Sequence, residues 1–130
     1  MKLAKLTRDD ALDEIRRRRW TMHYFGPDAR NPELIAAVRR WHIQGCTDVL
    51  ILRSDDDATA YRTVIDANSD PLKPTSVVFF YQSRAMWTLR VILALEAPDH
   101  PNAPCWPMAP PPACFIPAKL ERPRTIRPPS

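Results

Sequence analysis

Arg16–Arg19 run straight into Trp20, with His23 and Tyr24 just beyond, and Arg39, Arg40 and His42 repeat that mixture further along. Guanidinium groups take phosphates, and exposed aromatic rings stack on bases. Arg16, Arg17, Arg18, Arg19, Arg39 and Arg40 are therefore the candidate nucleic-acid contacts. A plainer electrostatic account stands beside this one. Asp13 and Arg17, and likewise Glu14 and Arg18, are spaced as i, i+4 ion pairs, and arginine at a helix C-terminus complements the helix dipole.

Other chemistry-bearing residues are weaker. Asp55-Asp56-Asp57, with Asp48 nearby, offers carboxylates to a divalent ion, but three adjacent acids cannot converge on one point from a regular strand. Asp66, Asn68 and Asp70 alternate, yet Pro71 follows and no distal Glu completes a calcium loop. His100, Cys105, Cys114 and Cys46 include zinc-ligand types without the tight Cys-x₂-Cys knuckle. No metal and no cofactor is expected. A thiol at Cys46 working with His23 or His42 would make a small enzyme, though no local signature supports a nucleophile. Gly26 and Gly45 are the only glycines, which excludes a glycine-rich phosphate loop. No residue is assigned a catalytic role.

The C-terminal third carries a different signal. Proline falls on every third residue at Pro98, Pro101, Pro104, Pro107 and Pro110, followed by Pro111 and Pro112. A polyproline II helix turns once per three residues, so this spacing predicts a stiff extended strap that can form neither an α-helix nor a central strand. Trp106, Met108, Phe115, Ile116, Leu120 and Ile126 punctuate it, whereas a solvated linker is poor in such residues. Pro101, Pro104, Trp106, Met108, Phe115 and Ile116 are the candidate partner-binding residues. The strap either docks on its own domain, burying Trp106 and Phe115 and shielding a sheet edge, or serves a partner's groove as a PxxP ligand. The recurring apolar anchors favour self-docking or an assembly contact.

The elements that must carry these residues follow from pattern. Thr7 can cap a first helix with Asp9 and Asp10 in its first turn and Arg16–Arg19 at its end; Ala11, Leu12 and Ile15 mark its buried side. Trp20, Met22 and Tyr24 alternate, in a short strand or an extended connector. Asn31 as cap, Pro32 at the first position, and Leu34, Ala37, Val38 and Trp41 at helical spacing predict a second helix ending at Gly45. Asp48–Arg53 and Thr59–Ile65 read as a hairpin around Ser54–Asp57, residues 66–75 as a loop, and Ser76–Gln82 as a strand. Met86–Leu95 alternates with period two and is expected to be a strand, although its Ala, Met, Leu and Arg content permits a helix. The expected fold class is α+β: two N-terminal helices packed on one face of an antiparallel sheet of four to five strands (two hairpins), followed by an extended proline-rich C-terminal arm. Residues 1–97 form the single domain and 98–130 the arm.

Charge and composition bound the rest. The 130 residues carry a formal charge of +4. The two ends are basic and the middle slightly acidic, short of the strong single-sign stripe of dedicated nucleic-acid domains. No run is long enough for a membrane span, the N-terminus lacks the apolar stretch of a signal peptide, and three cysteines do not make a disulfide framework. The chain reads as a basic, cytoplasmic protein without membrane association. The leading expectation is a non-enzymatic protein–protein interaction or assembly protein whose arm docks on its own domain, a partner protein or a homo-oligomer neighbour. Nucleic-acid binding through the arginine clusters is the alternative, and a small enzyme of unknown reaction the third.

Overall fold

The computed structural model describes residues 8–28, 30–64, 70–120 and 124–128. Thr7, Ile65, Asp66 and Asn68, invoked above, lie outside the described residues. Among those described, helix α1 (Arg8–Arg17) precedes five strands: β1 (Thr21–Phe25), β2 (Leu34–Trp41), β3 (Cys46–Ser54), β4 (Asp57–Val64) and β5 (Val77–Ser83). Helix α2 (Ala85–Ala94) and a short final strand β6 (Arg124–Ile126) follow. The strands form one antiparallel sheet in the order β5-β4-β3-β2-β1-β6. No helix among the described residues is long and apolar enough to cross a membrane.

Helix α1 forms where its charge pattern places it, with acids in the first turn and arginines in the last. It ends in a Schellman arrangement. The Arg19 amide donates to the Arg16 carbonyl (3.0 Å) and the Trp20 amide to the Ile15 carbonyl (3.3 Å), with Arg19 itself left-handed at φ 65°. Arginine thus occupies the position that glycine fills most easily.

The two-helix, four-to-five-strand arrangement is corrected at two elements. Leu34–Trp41 is a strand, not a helix. Leu34, Ala37, Val38 and Trp41 do fit a helical stripe, but Ile35 and Ala36 are apolar as well, and all five residues Leu34–Val38 are buried. A run hydrophobic on every side suits a strand covered on both faces, and for so short a run periodicity does not separate the two. Gly45 (φ 68°) then closes the β2–β3 turn rather than stopping a helix, its amide donating to the Trp41 carbonyl (2.9 Å). Conversely, Ala85–Ala94 is a helix, not a strand. Ala85, Thr88, Leu89 and Ile92 face inward at i, i+3, i+4, i+7, and the Ala85 amide donates to the Asp55 carbonyl (3.0 Å), seating the helix start on the β3–β4 turn. Among the described residues the sheet therefore has six strands, and the second α-helix follows the meander instead of preceding it.

Both faces of this sheet are apolar. On one, Met22, Tyr24, Ile35, Ala37, Leu50, Leu52, Ala58 and Ala60 pack under α1 and α2, which contribute Ala11, Leu12, Ile15, Ala85, Leu89 and Ile92. On the other, Phe25, Leu34, Ala36, Val38, Val49, Ile51, Tyr61 and Val77 have no α-helix above them among the described residues. They pack with Cys114 and Leu120, and with the half-buried Ile116, from the C-terminal arm. The arm is pinned along its course. Met108 exchanges two backbone hydrogen bonds with Val77 on the outer strand β5 (2.8 and 3.0 Å). Arg53 donates from Nη2 to the Ala113 carbonyl. Strand β6 pairs with β1 at the opposite edge, Met22 with Ile126 and Tyr24 with Arg124.

The proline spacing has a mixed outcome. The His100 amide bonds to the Ala97 carbonyl (2.9 Å) and the Ala103 amide to the His100 carbonyl (3.0 Å). Two consecutive turns therefore open the arm, with Pro98 and Pro101 each at the second turn position that proline's fixed φ favours. A three-residue repeat serves successive turns as well as a polyproline ridge. Further on, Pro111 (φ −61°, ψ 157°) is extended and leads into a 3₁₀ turn at Pro112–Cys114.

Deleting residues 98–130 would expose Val49, Ile51 and Tyr61, unblock the β1 edge and remove the bridge at Val77 on β5. The truncated chain is expected to self-associate and lose cooperative unfolding, read by light scattering and thermal melting. A monomer that melts like the full chain contradicts this role for the arm.

Candidate functional site

The proposed partner-binding residues fall on different sides of the docked arm. Trp106 is 84% exposed, Met108 46% and Phe115 41%, while Ile116 is half-buried against the sheet. Pro101 is exposed and Pro104 half-buried. Trp106 and Phe115 are thus not the groups that the arm buries in its own domain; Cys114 and Leu120 are. Because Met108 and Ala113 are held by hydrogen bonds, the exposed side chains stand on anchored backbone.

The arginines do not form one surface. Arg16 pairs with Asp13 (3.4 Å) and donates to the Tyr24 hydroxyl (3.1 Å); Arg17 and Arg18 pair with Glu14 (3.1 and 3.2 Å). Arg39 lies over the Trp41 ring, 4.1 Å from its centre. As neighbours on strand β2, Arg39 and Arg40 point to opposite faces of the sheet. Trp20 and Tyr24 are only 3% and 9% exposed, so neither ring offers a face to a base.

What does assemble in this part of the sheet is a buried ion-pair network that the sequence analysis missed. Asp48 and Arg62 oppose one another on β3 and β4 and are both buried. Arg62 donates from Nε to Asp48 Oδ1 (2.6 Å) and from Nη2 to Oδ2 (3.0 Å), while the Trp41 indole donates to Oδ2 (2.9 Å). A third guanidinium donor reaches the Glu96 carbonyl (2.7 Å), fixing the chain just beyond α2. The pairing was hidden by a bulge. Ser54 opposes Asp57 at the turn, but the register shifts between Leu52 and Ser54, so Asp48 meets Arg62 instead of Thr63.

The other candidates are dispersed. Asp56 pairs with Arg84 (3.9 Å), and Asp57 with Arg53 (3.7 Å) and the Gln82 amide (3.1 Å), so this turn is tied to its surroundings. Among the described residues no three His, Cys, Asp or Glu side chains gather to hold a metal ion. His23 faces the arm side of the sheet and shares a 2.9 Å hydrogen bond with Thr125 of β6. Burial, followed by an opposing attraction to Asp70 and repulsion from Arg127 and Arg40, lowers its pKa. Cys46, in register with Trp41 on β2, lies on the helix side, so this thiol and imidazole are on opposite faces. Burial raises the Cys46 thiol and pushes Cys114 up to about 11, partly offset by Arg53.

A hollow of about 660 Å³ lies where α1, β1, β2 and β6 meet. Arg16, Arg17, Arg19, Arg30 and Arg127 line it against one acid, Asp9, and Leu12, Met22, Ile35 and Ile126 give it apolar walls. Arg30 and Arg127 come from the β1–β2 loop and from beyond β6. Only the closed sheet brings them to Arg19.

No family model, curated protein or solved structure matches this chain.

Asp48→Asn would leave Arg62 buried without its counter-charge. We expect a loss of about 3–5 kcal/mol in chemical denaturation, and a smaller loss in the Asp48→Leu/Arg62→Met double variant. Equal losses would contradict the ion-pair account. Thiol titration at mildly alkaline pH should modify exposed Cys105 rapidly and Cys114 only on unfolding. Rapid modification of Cys114 in the native protein contradicts the docking of the arm.

Proposed function

We propose that this chain is a non-enzymatic protein–protein interaction protein, with the arm as the element that meets the partner. The observation that carries this reading is Trp106, 84% exposed on backbone anchored two residues later by the Met108–Val77 pair. An exposed tryptophan on a mobile tail would cost conformational entropy to bind. On an anchored strap that cost is largely met by folding, so the contact area converts more fully into affinity. Tryptophan is also the residue type most often found at the energetic centre of protein interfaces. Pro104 and Pro107 flank it with rigid rings, and Met108 extends the apolar strip. The partner is a protein surface with an apolar pocket of indole size, on another protein or on a second copy of this chain.

The nucleic-acid alternative has less support. Arg16, Arg17 and Arg18 are engaged with helix acids and Arg39 with Trp41, Arg39 and Arg40 point to opposite faces of the sheet, and Trp20 and Tyr24 are covered.

A photo-crosslinker placed at position 106 of the full chain, in its native cell, is expected to give one discrete crosslinked product. The same label at the exposed Asp99 should give none, and the product should disappear when unlabelled chain is added in excess. Equal or absent crosslinking at the two positions contradicts the proposal.

A further inference from the structure

We propose that the hollow between α1, β1, β2 and β6 binds a small amphiphilic anion. Its carboxylate or phosphate head would sit on Arg19, Arg30 and Arg127, and its aliphatic body against Ile126, Pro32 and Pro128. The site is independent of the partner-binding reading of Trp106.

Size and chemistry agree on this class. At about 660 Å³ the hollow falls within the range of small-molecule sites, which are apolar cavities with a few placed polar groups. Its charge is one-sided, with five arginines against Asp9. Arg16 and Arg17 are matched by Asp13 and Glu14 on their own helix, but no carboxylate among the described residues pairs with Arg30 or Arg127. Guanidinium groups recognise carboxylate and phosphate through paired, charge-assisted hydrogen bonds, so converging arginines select an anionic head. The indole N–H of Trp20, which also lines the hollow, is buried without a hydrogen-bond partner among the described residues.

Arg19 adds an independent sign. It holds the left-handed position that ends α1, at φ 65°, where glycine would sit without strain. Residues kept in costly conformations cluster at functional sites, and here the strain holds a guanidinium at the rim of the hollow. The body of the ligand follows from the walls. Trp20, Tyr24, Met22, Ile35 and Leu12 are all nearly covered, and Ile126 (46% exposed) with the half-buried Pro32 and Pro128 forms the accessible apolar surface, which is aliphatic and fits an acyl or alkyl chain better than a nucleobase.

The test is calorimetric titration of the full chain with octyl phosphate and octanoate. Both should bind once per chain, with octanol and inorganic phosphate at least about tenfold weaker, since each lacks one half of the recognition. Arg127→Ala and Arg19→Gly should each weaken octyl phosphate by about tenfold. Arg19→Gly should also melt no lower than the parent, because it relieves the left-handed strain; this separates a lost contact from a lost fold. Phosphatidic acid vesicles should bind no better than neutral ones. No saturable binding, equal affinity for octanol, unaltered affinity in both arginine variants, preference for single-stranded RNA, or selective vesicle binding would each overturn the assignment of a small, freely diffusing ligand.

Discussion

A sheet that is apolar on both faces must be covered on both faces, and this requirement shapes the whole chain. Every residue from Thr47 to Leu52 on β3 is buried, as is every residue from Leu34 to Val38 on β2. Antiparallel sheets commonly leave one face to water; this one has no polar face to spare. Helices α1 and α2 cover one side. The remaining chain is the proline-rich arm, which lacks too many backbone donors to build another helix. It covers the second face instead by inserting Cys114, Ile116 and Leu120 between short turns and by tying itself to both edge strands.

The surface features follow from that tie. Pinning Met108 to Val77 leaves Trp106 outside, on backbone that is already ordered. Returning the arm to β1 as β6 closes an edge open to pairing with other chains. The same return carries Ile126 and Arg127 to the hollow beside α1. The arm thus covers the core, presents the exposed tryptophan and completes the basic hollow, so a change in its docking would be felt at all three places.

Elements whose signals came from charge and turn chemistry were legible. Helix α1 was marked by its acids and arginines, and its buried side at Ala11, Leu12 and Ile15 is as expected. The β3–β4 hairpin was marked by Ser54–Asp57, and β1 by the alternation of Trp20, Met22 and Tyr24, all three buried. Two longer apolar runs judged by period were exchanged. Leu34–Trp41 satisfied a helical stripe because it is apolar throughout, and Met86–Leu95 alternated by coincidence while its Ala85, Thr88, Leu89 and Ile92 face carried the packing. The Asp48–Arg62 pair needed the bulge near Ser54, which leaves no mark in the sequence. Arg30 carries no local signal either, because its meaning comes from sharing the hollow with Arg19 and Arg127.

The most direct measurement is hydrogen exchange at the Met108 amide by NMR. This amide has no local helix or hairpin to protect it, and donates only across to Val77 on β5 (2.8 Å). If the arm is a fixed layer of the fold, Met108 exchanges on the timescale of the β5 amides bonded within the sheet. Exchange at the rate of an unstructured peptide, with β5 still protected, would show that the arm is not fixed to the sheet edge and contradict the account.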